Sequence, residues 1–248
     1  MHKICLLILG LLTLAFGMTM PAAAQTDVTF LSTSGSDSNN CSRAAPCVSF
    51  NGVLPKTLAG GRIEVLNTGI YGFGNFTKSV TVAAAGGQPI FPAFGAAIAL
   101  TINAPGKTVI LDGFTILKAV SLGVDIPAAR QVELRNCLIR GTNFSSNSGS
   151  VSVRTSENTN VFISDCTFTD SSPAVSVRSN GKVARAFLDR VTLFRSGVLV
   201  DGAQASVRFN DSVAGFVSPE TTLLNGGRIE SLGNNAMNTV ANTVLPLR

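Results

Sequence analysis

The sequence predicts an all-β fold, a right-handed parallel β-helix (solenoid) with a short N-terminal capping helix, and three observations carry that prediction. An eight-residue pattern recurs at steps of 23, 29, 25 and 21 residues. The strands inside each unit are too short to bury an inner face alone, so the units must stack. The chain is 45% hydrophobic and only 13% charged, which demands that many side chains be buried in regular layers.

The recurring pattern is an apolar alternating pair, two polar residues, then a second apolar alternating pair. It reads VILDGFTI from Val109, VELRNCLI from Val132, VFISDCTF from Val161 and AFLDRVTL from Ala186, with a degenerate VRFNDSVA from Val207. Another short strand precedes each later copy: GVDI from Gly123, VSVR from Val151, AVSVR from Ala174 and GVLVD from Gly197. Stacked about 4.8 Å apart in parallel, equivalent positions become columns in space. Leu111, Leu134, Ile163, Leu188 and Phe209 form one inner column, and Ile116, Ile139, Phe168 and Leu193 a second. Phe114, Cys137, Cys166, Val191 and Ser212 point inward between them. On the outside Asp112 stacks beside Arg135, and Asp165, Arg190 and Asp211 alternate in sign, which helps modestly in a ladder. A β-sandwich also has many short strands, but it does not predict a column-by-column repeat.

The open end of a solenoid needs a cover. Phe50, Val53, Leu54 and Leu58 fall on one helical face between Cys47 and Gly60-Gly61, and are expected to cap the first coil although Gly52 and Pro55 weaken that helix. GGRIESLG from Gly226 reads as the last rung, with the Asn-rich tail from Asn234 wrapping the final coil or fraying.

Residues 1–24 read as a signal peptide: Lys3, an apolar run of 13 residues from Ile4 to Phe16, then Pro21 and Ala22-Ala23-Ala24, with cleavage after Ala24. The run falls short of the ~20 residues of a spanning helix. Residues 25–248 are then a single exported domain, periplasmic or secreted, with no membrane span in the mature chain. Removing Lys3 leaves 18 basic residues (19 − 1) against 14 acidic ones. They are scattered, so no nucleic-acid patch is expected. Export permits disulfides. Cys41 and Cys47 flank a short polar loop and are expected to be bonded. Cys137 and Cys166 are vertical neighbours whose side chains point the same way, so two buried thiols are the expectation.

TFLSTSGSDSNNCSRAAPCVSF from Thr29, GGRIEVLNTGIYG from Gly60 and KSVTV from Lys78 together resemble a group of exported bacterial β-helix proteins in the pectin-lyase-like superfamily. The resemblance runs from about Thr29 to Asn235. It implies the fold. Characterised relatives in that superfamily include pectate lyases, polygalacturonases, lyases for other acidic glycans, phage tailspikes and adhesin passenger domains.

Fold alone does not carry function. A polygalacturonase-like site needs a histidine and clustered aspartates, and the only histidine, His2, leaves with the signal peptide. A methylesterase-like site uses two aspartates and an arginine; Asp165, Arg190 and Asp211 match superficially without that family's surrounding motifs. A pectate-lyase-like site would use Arg190 or Arg195 as base, with calcium held among Asp165, Asp170, Asp189 and Asp211. Arginine is a poor base at its usual pKa, and calcium needs several converging oxygens. The competing account of these residues is a solvated outer face with charge ladders. Arg154 and Arg178 form a small basic column beside Asp201, read in the same way.

Neutral glycans are bound by exposed flat aromatics. There is no Trp, one Tyr (Tyr71), and 14 Phe remain once Phe16 is removed from the 15; core stacking accounts for most of them. Phe91 and Phe94, between prolines, are expected to cover the side of the helix or meet a partner. Apart from the segments around Gly86 and from Asn143 to Gly149, the coils carry no loop able to build a cleft. The reading of function is an exported, non-catalytic β-helix serving as a surface, matrix or envelope interaction module, with no cofactor. Its partner is expected to be a polysaccharide or an envelope protein. The alternative is a calcium-dependent lyase acting on an acidic, uronate-containing glycan.

Overall fold

Alternation at period two puts one side of each short strand inside, and the structure stacks these strands into three parallel ladders. It is a computed structural model and describes residues 25–92, 98–117, 122–141, 149–215, 221–237 and 243–244. Strands make up 60% of it, wound into about six turns of the parallel β-helix that the repeat predicts. Residues 1–24, expected to be a signal peptide, Phe94 and most of the Asn143–Gly149 segment lie outside the described residues.

Face 1 begins with Thr26–Leu31, Thr57–Val65 and Val80–Ala83. It continues through the C-terminal parts of two long strands, Ile98–Asp112 and Leu122–Arg135. Thr159–Ser164, Ala184–Asp189, Ala205–Asn210, Arg228–Ser231 and Thr243–Val244 complete it. Face 2 comprises Gly69–Ile70, Pro89–Pro92, Thr115–Leu117, Leu138–Arg140, Thr167–Thr169, Thr192–Phe194, Val213–Gly215 and Ala236–Met237. Face 3 comprises Gly74–Phe76, the N-terminal parts of the two long strands, Val151–Thr155, Val175–Ser179, Val198–Asp201 and Thr221–Leu224.

The register matches the sequence columns. Leu111, Leu134, Ile163, Leu188 and Phe209 are paired in succession. So are Ile116, Ile139, Phe168 and Leu193. All nine are buried, as are Phe114, Cys137, Cys166, Val191 and Ser212. Asp112 lies opposite Arg135.

Between faces 1 and 2 the chain turns on a residue of positive φ: Gly113 at 77°, Asn136 at 51°, Asp165 at 54°, Arg190 at 52° and Asp211 at 44°. Asn and Asp tolerate this conformation; a long side chain such as Arg is uncommon there. The next residue drops into the interior. Between faces 2 and 3, Gly141, Asp170 and Arg195 take the same role at 65°, 56° and 49°.

The capping helix is shorter than the sequence suggests. It spans Phe50–Val53 and tightens into a 3₁₀ turn at Leu54–Lys56 that contains Pro55. Leu58 therefore belongs to a face 1 strand and is 36% exposed, not packed on the helix. Ser49 caps the helix, its Oγ accepting from the Gly52 amide at 3.1 Å while it donates to Asp37 at 2.5 Å. Phe50 and Val53 close the first coil, with the Phe50 ring 5.8 Å from Phe76 and 5.6 Å from Phe91. Phe91 is thus a core residue, corrected from a side cover or partner contact. It is 2% exposed, and Phe114 packs on it at 6.5 Å.

At the far end Arg228–Ser231 is followed by one more pairing, since Thr243–Val244 adds to it. Asn234 and Asn235 accept from the Asp211 and Ser212 amides at 3.1 and 2.8 Å, so their side chains supply acceptors where a further coil would supply carbonyls. Ala236–Met237 then extends face 2.

Cys41 and Cys47 form the expected disulfide. Cys137 and Cys166 also form one, with their Cα atoms 4.5 Å apart, which corrects the expectation of two thiols. The objection assumed side chains standing parallel off a flat ladder. Each cysteine instead follows a positive-φ residue, Asn136 or Asp165, which takes it off the strand and turns both sulfurs into one enclosed corner.

Candidate functional site

The outward positions of face 1 line a concave surface. Its central outer column runs Ile110, Glu133, Phe162, Phe187, Arg208 and Glu230 on successive turns. Phe162 and Phe187 are one strand apart on this outer side, and their rings stack at 4.9 Å with planes 11° apart. The Arg208 guanidinium lies 5.6 Å over Phe187 and is held by Glu230 at 2.7 Å, a cation–π arrangement closed by an ion pair. Phe162 is 39% exposed. A groove of about 520 Å³ opens beside the two rings, with Gln131, Glu133 and Arg135 on one side and Asp165, Asp189 and Arg190 on the other.

The polar groups of the groove are pinned by one another. Gln131 donates to Glu133 at 2.7 Å, and Glu133 also pairs with Arg135. Asn210 donates to Asp189 at 2.5 Å. Arg190 forks onto Asp165, Nε to Oδ1 at 2.7 Å and Nη2 to Oδ2 at 2.8 Å, and its Nη1 meets Asp189. Such a bidentate pair is geometrically specific. Hydrogen bonding from Arg190 holds the Asp165 carboxyl below the usual carboxylate range. The Asp165 hydrogen bond, and then the Asp189 charge, push the Arg190 pKa further above its ordinary value.

Of the sequence candidates, the structure brings Asp165 and Arg190 together with Asp189. Asp211 lies one turn further along the same corner column, its amide hydrogen-bonded to Asn234, and makes no ion pair with Arg190 among the described residues. Arg195 stands across face 2, on the next corner. There it pairs with Asp170 and lies 5.9 Å over Phe194. The four candidates therefore share one structural trait, a positive-φ corner, but belong to two places. Removing a proton from Arg190 or Arg195 means taking it from a guanidinium already paired to a carboxylate, the opposite of what a base requires. Among the described residues, no three His, Cys, Asp or Glu side chains converge as a metal site would need.

Phe162 and Phe187 are the residues that the sequence reading passed over. A signal was present: in VFIS and AFLD the Phe occupies the outward slot of the alternation, where the other copies carry Ile110, Glu133 and Arg208. No helix among the described residues is long and apolar enough to cross a membrane.

No protein-family model, characterised protein or solved structure matches the chain. Fold and groove define its class, an exposed-groove parallel β-solenoid.

Proposed function

We propose that this chain is an exported, non-catalytic interaction module of the pectin-lyase-like β-helix type, which binds a carbohydrate along the outer groove of face 1. The observation that carries this reading is the Phe162–Phe187 pair, a flat apolar platform outside the core, flanked by carboxylate, amide and guanidinium groups. Sites for small polar ligands combine an apolar floor with a few fixed polar groups. A sugar ring offers the matching surfaces, C–H bonds for the ring face and hydroxyls for Glu133, Gln131 and Asp189. The two disulfides are compatible with an oxidising compartment, which fits a periplasmic or secreted location after removal of residues 1–24.

Binding of neutral and acidic oligosaccharides by the purified domain, followed by calorimetry, tests this. Phe162→Ala is expected to weaken binding about tenfold or more while leaving the melting temperature within about 2 °C, because Phe162 lies outside the core. Equal binding by wild type and variant would move the ligand off this face and leave an envelope protein as the partner to seek.

The lyase alternative draws on Asp165, Asp189 and Arg190 facing one groove. The paired state of Arg190 weighs against it. Uronate polymers assayed with and without calcium, read at the absorbance of the unsaturated product, separate the two. Product formed by the wild type and lost in Arg190→Ala would establish the lyase.

A further inference from the structure

Face 3 passes into face 1 along a strip that the groove does not use. On it Arg154, Arg178 and Asp201 occupy one outer column on successive turns. Arg154 is paired with Asp125: its Nη2 contacts both carboxylate oxygens at 2.9 Å and its Nε contacts Oδ1 at 3.2 Å. Asp201 accepts from Asn225 at 2.7 Å. Arg178, between them, has no hydrogen bond or ion pair among the described residues, and its Nε is buried. Two residues back on the same side of that strand, Ser176 is fully buried with its Oγ unpartnered, and Ser152 repeats this one turn below. Three of the five buried side-chain polar atoms without a partner among the described residues thus fall on this strip. A buried donor with no acceptor costs its desolvation, so such a cluster needs a reason.

Beside Arg178 opens a cleft of about 330 Å³, lined by both arginines, Ser156, Ser179, Asn180 and Asp201. We propose that this cleft is an oxyanion site, in which Arg178 takes a carboxylate, sulfate or phosphate group on its forked donors. The strip supplies what that group needs. The Arg178 guanidinium makes no ion pair among the described residues, the Asn180 amide borders it, and Lys182 ends the turn that the Ser179 hydroxyl closes onto the Lys182 carbonyl at 2.8 Å. Arg154 contributes little net charge because buried Asp125 balances it. Asp201, one turn above, opposes the anion and limits its affinity. This site is independent of the groove on face 1 and stands whether or not that groove binds sugar.

The test is a titration of the exported domain with sulfate, phosphate, acetate and glucuronate at constant ionic strength, following the arginine Nε–Hε resonances. One resonance is expected to shift saturably with these anions and not with chloride, and to vanish in Arg178→Lys. Arg178→Gln should weaken binding about tenfold or more, and Asp201→Asn should strengthen it roughly threefold. The second variant keeps Arg178 in place, so it remains informative should the first fail to fold. Glucuronate binding more tightly than acetate assigns the oxyanion to an acidic sugar. Glucuronate binding no tighter than acetate, with sulfate or phosphate ahead of both, assigns it to a free inorganic anion. The site is refuted by the absence of any saturable shift, or by unchanged binding in Arg178→Gln.

Discussion

The corner between faces 1 and 2 and the strip between faces 3 and 1 carry the same kinds of residue on the same turns, yet one is closed and the other open. At the corner, Cys137 is bonded to Cys166 inside, and Arg190 is gripped by Asp165 and Asp189 outside. On the strip, twelve residues earlier in the chain, Arg178 makes no hydrogen bond or ion pair among the described residues. Sequence presents both arginines as members of a column of outward charges. Only the partners separate an arginine that holds a turn in place from one poised for a ligand. Where every donor is satisfied locally, the simplest role is structural; where several are not, the missing acceptor is sought outside the chain.

The largest expected effect lies inside the closed corner. Replacing both Cys137 and Cys166 by Ala removes a cross-link over a sequence separation of 29 residues. On chain-entropy grounds the loss is about 3.6 kcal/mol, a fall in Tm of roughly 7–14 °C for a chain of this size. The comparable change at Cys41 and Cys47, six residues apart, should cost less, about 2 kcal/mol. Thermal melts of the two double variants check the ranking. Sulfate titrations of the Cys137/Cys166 variant should be unchanged below its melting point, because the corner and the strip are different devices.

An intermediate effect sharpens the same contrast between the two arginines. Arg178→Gln should abolish most oxyanion binding, whereas Arg190→Gln should leave it within about twofold. A matching loss in both variants would mean that the anion responds to the overall charge of the domain, and the distinction drawn between corner and strip would fail.

The interior was legible in the sequence because burial repeats with the coil. Leu111, Leu134, Ile163, Leu188 and Phe209 recur at one slot of one pattern, and a buried slot tolerates only apolar residues. The corners were half legible. The alternation put Asp165, Arg190 and Asp211 in one column, but tolerance of positive φ by Asn136 and Asp165 does not say that the chain turns there, so the closing of Cys137 onto Cys166 does not follow from spacing. Phe162 and Phe187 were misjudged for a different reason: an aromatic reads as core by composition, and only its parity along the strand reveals that it faces out. Arg178 and Arg154 were recognised as a column, but whether each had a carboxylate within reach depends on side-chain geometry that no spacing encodes.

The smallest expected effect tests whether the Arg190 pair is merely local glue. Asp165 has a folded pKa below its ordinary value of about 3.9. A depressed carboxyl contributes stability that is present above the unfolded pKa and is lost as pH falls through the folded one. Arg190→Gln removes the partner while keeping a side chain at the same positive φ, so backbone strain cancels in the comparison. At pH 7 the variant should melt slightly lower, by no more than about 2 °C, because the pair is solvent-screened. As pH falls through that lowered folded pKa the difference should shrink toward zero, since the protonated Asp165 no longer attracts the guanidinium. A gap between the two melting curves that persisted undiminished at pH 2 would show that Arg190 acts through packing on the groove wall, and the corner would no longer be explained by charge pairing alone.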